Sequence, residues 1–589
     1  MNRIYRTLWS VATQSWQAVP ETAKSAGKKS KSSAGGVLAS VALGLSLVSG
    51  ANAQAPPAVN QLPTGGSVAR GTATISQTAT AQAAAMTVNQ ASQRAVINWN
   101  TFNVGSNASV NFVQPNAQAV TLNRVNDSNP SQIFGRISAN GQVFLTNANG
   151  VYFSPTSSVD VGALTATTHS ITDDNFMSGN YVFDRNGATG KIINEGNITA
   201  ALGGYVALLA PEVQNAGVVV ARAGTVAMAA GETITLNIDG VGGLAGITTT
   251  PSAIASLVEN KLAVLAPDGQ IILSAVALNK LQAGLIKNSG TLEANSLVNK
   301  GGKIVLEADQ IAMDRNSKIE AKGPLGGGTV LVGGDWQGSG TLRQATKVTM
   351  EAGATIDASA TDNGDGGKVV LWSDVSNADS LTQVSGSIKS VAGPNGGNGG
   401  KVETSGHSLK LGDAVQVKTG QWLLDPYDFT VAATGGDITG ASLSGLLGSS
   451  NNITIQASST SSASNTATTK YGAAGTAGNI FVNDTIAFSA NTLTLNAQNN
   501  VTINKAMTLT GTAGLSVVYG QGNLASGNAS LFAVNAPISI ASTGSFSTKL
   551  GSDGTLTNYT IVNNLGVTGD ATTAPGSPSL QGMAKNLST

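Results

Sequence analysis

Short stretches of alternating aliphatic and polar residues run through most of this chain, each closed by Asn or Gly. Three of them share the pattern aliphatic-x-Asn-x-Gly-x-aliphatic: Ile192 to Ile198 around Asn194 and Gly196, Val213 to Val219 around Asn215 and Gly217, and Ile286 to Leu292 around Asn288 and Gly290. The first two are offset by 21 residues. A second pattern sets a Gly pair directly before a strand-like run, at Gly203-Gly204-Tyr205-Val206, Gly301-Gly302-Lys303-Ile304, Gly327-Gly328-Thr329-Val330, Gly366-Gly367-Lys368-Val369 and Gly399-Gly400-Lys401-Val402. Period-two alternation predicts half-buried strands, and Asn and Gly predict the turns between them. Recurrence at about 20 residues marks a solenoid, in which each rung buries its apolar face against the next. The predicted fold is therefore all-β, a right-handed parallel β-helix with an amino-terminal cap and inward aliphatic ladders. Its corner Asn residues are expected in the left-handed region, or stacked in ladders along the axis. A β-sandwich array would instead show hairpin spacing of about 8–12 residues and no such register. One stretch departs from alternation. Ile254, Leu257, Val258 and Leu262 fall at helical spacing between Pro251-Ser252 and Pro267-Asp268-Gly269, predicting a small helical insertion near 252–265. From about residue 430 the Gly-Gly register gives way to Ser, Thr, Asn and Ala.

The amino terminus changes the picture. An apolar run from Gly36 to Val48 follows Lys24, Lys28, Lys29 and Lys31 and precedes Ala51-Asn52-Ala53. This is the layout of a cleaved secretory signal, too short for a membrane span. Cleavage is expected between Ala53 and Gln54, with the bond after Ala55 as the alternative. A further charged segment, Met1 to Ser10 and on to Trp16 and Pro20-Glu21, makes the signal unusually long.

Composition agrees with export. The 589 residues include no Cys and 72 Gly. An exported chain without disulfides must be held by backbone hydrogen bonds and a regular core. Six of 32 basic residues and one of 32 acidic residues lie in the signal, leaving 26 against 31 in the mature chain. That acidic balance argues against a nucleic-acid partner.

Residues 97 to 167 carry a family pattern. They read Ile97-Asn98-Trp99-Asn100-Thr101-Phe102-Asn103-Val104-Gly105, then Val110-Asn111-Phe112-Val113-Gln114-Pro115, Leu122-Asn123-Arg124-Val125, Pro130-Ser131-Gln132-Ile133-Phe134-Gly135-Arg136-Ile137, and Ala139 through Phe153. This order of blocks resembles the secretion domain of the filamentous-haemagglutinin family, the exported partners of two-partner secretion, over roughly residues 54 to 300. The long signal resembles the extended signal of the same exoproteins. The resemblance implies passage through the general secretory machinery, docking to a dedicated outer-membrane β-barrel transporter, and rung-by-rung folding at the cell surface. It implies a secreted or surface-exposed adhesin of a Gram-negative bacterium, with an unidentified host or bacterial surface receptor and no cofactor. Capture of haem or a haem protein is the alternative it leaves open. The chain departs from the family in having Asn147-Ala148-Asn149-Gly150 where Asn-Pro-Asn-Gly is common, so the Pro that presets φ is missing. It also lacks a clear Asn-Pro-Asn-Leu segment.

Asn123, Arg124, Asn147, Asn149 and Gly150 are the candidates for transporter recognition, against a plain role as turn and packing residues. Trp99, Phe102, Phe112, Phe144 and Phe153 read as core aromatics. The Gly-rich turns at 362–367 and 393–400 faintly resemble calcium-binding nonapeptides but lack their full register, and read as simple turns. His169 and His407 are the only histidines, and with no Cys a His/Cys zinc site is excluded. Because parallel β-helices also host polysaccharide lyases and hydrolases, the tight acidic pairs Asp173-Asp174 and Asp425/Asp428 are the places where paired carboxylates could arise. Neither has an evident basic partner, so no enzyme is expected. The expected organisation is signal at 1–53, secretion domain at 54–300, β-helix repeats at 301–424 and less regular repeats at 425–589. The final residues look like the middle of a repeat, which suggests a fragment of a longer exoprotein.

Overall fold

A computed structural model describes residues 5–10, 15–20, 55–278, 283–449, 451–458 and 477–562, with 564–566, 579–581 and 584. Ala53 and Gln54 lie outside the described residues. The chain divides into Met1–Ala55 and Pro56–Thr589. In the first unit Tyr5–Ser10 pairs antiparallel with Ser15–Pro20.

The second unit is the expected parallel β-helix. Each rung contributes a strand to a first sheet, a long sheet and a third sheet in turn. Asn197–Ala200, Tyr205–Leu209 and Glu212–Asn215 make one rung, and Val218–Ala221, Thr225–Ala230 and Ser256–Asn260 the next. The long sheet runs from Arg94–Trp99 to Ser545–Leu550 without a break in parallel pairing. One inward column in it reads Leu164, Val206, Val226, Ile271, Ile304, Val330, Val369, Val402, Trp422, Ile453, Leu493 and Leu515. All of these side chains are buried. Stacking apolar on apolar along the axis gives each inward residue a like neighbour above and below, so one core extends from Leu62 to Val517.

The Gly pairs sit where the first sheet turns into the long sheet. A Cβ on Gly328 would lie 2.2 Å from the Gly302 carbonyl oxygen, and one on Gly367 2.0 Å from that of Gly328. Successive turns are packed backbone on backbone, and only Gly fits. The amino-terminal end is covered by antiparallel strands: Ser67–Arg70 against Arg94–Trp99, and Ala73–Ala79 against Ala84–Gln90. The first and third sheets end at Gln416–Thr419 and Ser408–Leu411. Two new sheets then begin around the helix Gly440–Gly448, whose Leu443, Leu446 and Leu447 enter the core, while the long sheet continues. This restart lies where the Gly-Gly register fades.

The helix expected near 252–265 is not there. Ser256–Asn260 and Ala263–Leu265 are strands of the third and first sheets. Val258 is fully buried and Leu262 is 50% exposed, so the apparent helical stripe does not share a face. Short helices occur instead at Asp173–Ser178 and Gly440–Gly448. The same segment holds a further member of the Asn ladder. Asn194 donates to Asn215 (2.8 Å), Asn215 to Asn260 (2.8 Å), Asn260 to Asn288 (2.8 Å), and Asn288 to the Ser317 hydroxyl (2.6 Å). The ladder residues are buried and none has a positive φ, so the stacking expectation holds and the left-handed one does not.

Candidate functional site

The residues considered for recognition lie in the second and third rungs. Val120–Val125 pairs parallel with Gln142–Thr146, placing Asn123 beside Leu145 and Arg124 beside Thr146, next to the turn that begins at Asn147. Asn123 points into the rod and is fully buried. Its side-chain oxygen accepts from Trp99 Nε1 at 3.0 Å and its amide donates to the Phe144 carbonyl at 3.1 Å. It satisfies a buried indole and is closed to any partner of the folded protein. Trp99 in turn packs edge-on against Phe102 at 5.5 Å, and Phe112 and Phe153 are buried in the same core.

The turn without proline closes by other means. Gly150 N–H donates to the Asn147 carbonyl (2.9 Å), and Asn149 N–H donates to Asn147 Oδ1 (2.9 Å), an Asx turn. Asn147 Nδ2 donates to the Asn129 carbonyl and the Ser131 hydroxyl, both at 3.0 Å, tying the turn to the preceding rung. Gly150 has φ +121, and a Cβ there would meet the Lys191 carbonyl at 2.7 Å. Asn147 and Gly150 are buried, whereas Asn149 is exposed and reaches the Asp127 carbonyl at 2.7 Å. Of the five candidates, Asn149 alone is exposed.

Arg124 faces outward and meets a feature the sequence pattern did not reveal. Two insertions leave the rod at the same corner, 168–190 after Ala163–Thr167 and 231–255 after Thr225–Ala230. The first carries the helix Asp173–Ser178 and the strand Val182–Asp184, and the second carries the hairpin Thr233–Ile238 and Leu244–Thr249. They join as an antiparallel sheet, with Arg185 paired to Glu232 at 2.9 Å. Together they form a lid over the outer face of the long sheet and bury a second apolar cluster that includes Phe144, Phe176, Tyr181, Phe183 and Tyr205. Phe144 thus packs outside the rod, 4.9 Å from Tyr181. Arg124 binds Asp173 at 2.7 Å and the Ile171 carbonyl at 2.9 Å.

Of the remaining candidates Asp174 is exposed, and the others are occupied by structural contacts. Asp173 is held by Arg124, and Asp425 accepts from Gln456 and Ser458 at 3.1 Å each. Asp428 accepts the Asn479 N–H at 2.7 Å. The two Gly-rich turns lie on adjacent rungs and bond each other, Asn395 to Asp362 and Asn398 N–H to Asp365. His407 stacks on Tyr427 at 4.3 Å. His169 is buried against the lid, with Nε2 3.0 Å from the Gly231 carbonyl, and burial pushes its pKa below the usual value. Among the described residues no group of three or more His, Asp or Glu could hold a metal ion, and no helix is long and apolar enough to cross a membrane.

Residues 61–321 match the model of the two-partner secretion (TPS) secretion domain, and residues 1–50 match that of the extended signal peptide of type V secretion systems. A heme/hemopexin-binding protein of Haemophilus influenzae is 30% identical over 309 residues, covering 49% of this chain and 32% of the relative. A second protein of that description, from Haemophilus influenzae strain ATCC 51907 / DSM 11121 / KW20 / Rd, is 32% identical over 269 residues, covering 44% and 29%. The alignments thus span about a third of the length of these relatives. The crystal structure of the HMW1 secretion domain from Haemophilus influenzae superposes with a TM-score of 0.50 at 29% identity, covering 62% of this chain and all of that one.

Proposed function

This chain belongs to the two-partner secretion exoproteins, and from that premise we propose that it is a non-catalytic surface adhesin: an amino-terminal module read by a cognate outer-membrane transporter, continued by a rod that carries the binding faces. Membership implies export across both membranes of a Gram-negative cell and a partner transporter. The observation behind the adhesin reading is the continuity of the core. The family-matched module ends at 321, yet the same inward column continues through Val330, Val369 and Val402 to Leu515. Beyond the module the long sheet and its core run on, past the point where the first and third sheets give way to new ones, and this shape offers long faces. Asp173, Asp425 and Asp428, weighed for hydrolysis, are engaged in an ion pair or in amide and hydroxyl bonds, which supports a non-catalytic rod.

The physics suits export. A chain without disulfides can thread a narrow pore, and a solenoid built of near-neighbour contacts can fold from its emerging end. Folding outside then opposes backsliding. Capture of haem or a haem protein is the second reading, favoured by the names of the two relatives. Two assays on the secreted mature protein separate them. Saturable binding to host or bacterial cells with no shift of the haem absorption band supports adhesion. Stoichiometric haem or haem-protein binding without cell binding overturns it.

A further inference from the structure

We propose that Asp173 is a positioning residue for export: it locks the outer lid to the rod before the lid's second half has emerged from the transporter. The proposal rests on the two-partner reading. Its geometry is a junction of three chain segments. Asp173 Oδ1 lies 2.7 Å from Arg124 Nη2 on the second rung, and Oδ2 lies 3.6 Å from Arg70 Nε in the amino-terminal cap. The Arg124 guanidinium also donates to the Ile171 carbonyl, just before the helix. Both Arg124 and Asp173 are about a quarter exposed, 28% and 26% by side chain, so their charge-assisted bond is partly shielded from water. Arg70 is 58% exposed and adds less.

Chain order gives the lock its role. Residues 70, 124 and 173 emerge well before the strand Thr233–Ile238, which completes the lid by pairing with Val182–Asp184. Until then Phe176 and Tyr181 must stay over Phe144 while the strand Val182–Asp184 lacks its partner. A six-residue helix cannot hold itself. Its Thr172 N-cap helps it form, and the bond from Asp173 to Arg124 fastens it to the rod. An early, fastened outer cluster gives the emerged domain a folded mass that opposes re-entry into the pore.

Arg185 reports the lid. Its side chain is 12% exposed and clamped by Glu232, so trypsin reaches it when the lid opens. In mature protein purified without passage through a transporter, Asp173→Asn is expected to speed cleavage after Arg185 about tenfold, while the exposed neighbour control Asp174→Asn leaves it unchanged. Arg124→Lys, which keeps a cation beside Asp173, is expected to retain more of the protection than Arg124→Ala. Equal cleavage of the Asp173 and Asp174 variants, or of the two Arg124 variants, overturns the lock. With the cognate transporter, Asp173→Asn is expected to lower secreted yield, and Arg124→Lys to lower it less than Arg124→Ala. Yield equal to wild type in Asp173→Asn overturns the role in export, whereas failure of the wild type itself to be secreted overturns the two-partner reading and leaves the cleavage result to judge the lock.

Discussion

At the scale of single residues, the chain uses Asn in two ways that look alike in sequence. Asn194, Asn215, Asn260 and Asn288 are buried and bond one another along the axis, so each satisfies a neighbour as well as itself. Asn215→Ala removes two ladder bonds and leaves the Asn194 amide and the Asn260 side-chain oxygen without their ladder partner. The expected cost is about 1–3 kcal/mol, seen as early local melting of these rungs by hydrogen exchange. Asn149, by contrast, is exposed, and Asn149→Ala should change stability by less than about 0.5 kcal/mol. A marked loss of secretion in that variant would therefore identify a transporter contact. Asn147 cannot make this distinction. Its amide donates to two groups of the preceding rung, so Asn147→Asp should lower stability and export together.

His169 supplies a pH test. Burial lowers its native pKa, so the folded protein favours the neutral ring, while the unfolded chain takes up its proton near the ordinary value of about 6.5. Its share of stability is thus complete above that value and is lost as pH falls through it toward the lower native pKa. The groups around it are Arg185, Glu232 and Asp184. Lid protection at Arg185 should weaken as pH falls from about one unit above that ordinary value to about one unit below it, and weaken less in His169→Gln. Parallel curves would show that another group is responsible.

At the scale of elements, alternation proved a sound guide to rungs and a poor one to insertions. The Gly pairs were legible because the stacked backbones there admit nothing larger, and the Asn-x-Gly turns because they recur at one spacing. Asn260 was hidden because the 231–255 insertion breaks the period, and Leu262 stands where the other rungs have Gly. The lid was invisible for a related reason. Its partners Phe144, Phe176 and Ile234 lie far apart in sequence, and each alone reads as an ordinary core residue. The same logic set the register at Val369 and Lys368. Val369 is fully buried in the aliphatic column, and Val369→Asp should cost about 4 kcal/mol or more by placing a carboxyl there without a partner. Lys368 points outward as expected, but it also holds Asp335 at 2.8 Å. Lys368→Ala should cost no more than about 1 kcal/mol, the range of a partly exposed ion pair. Equal destabilisation of the two variants would mean the register is wrong.

At the scale of the molecule, function comes from an order of events along one chain: signal, module, rod. Amino-terminal sequencing of secreted material is expected to begin at Gln54, and a mature protein beginning before Gly36 would contradict the signal assignment. The recognised blocks between Trp99 and Phe153 foretold the export class, because their order is specific to it. The candidate contacts were less legible, since burial of Asn123, Asn147 and Gly150 depends on rungs distant in sequence. Whether the amino-terminal module alone directs export is decided by one comparison, made with the cognate transporter present. Residues 1–321 are expected to be secreted, while residues 301–589 behind a plain signal remain in the periplasm. Secretion of the 301–589 half at a yield similar to that of 1–321 would contradict the account.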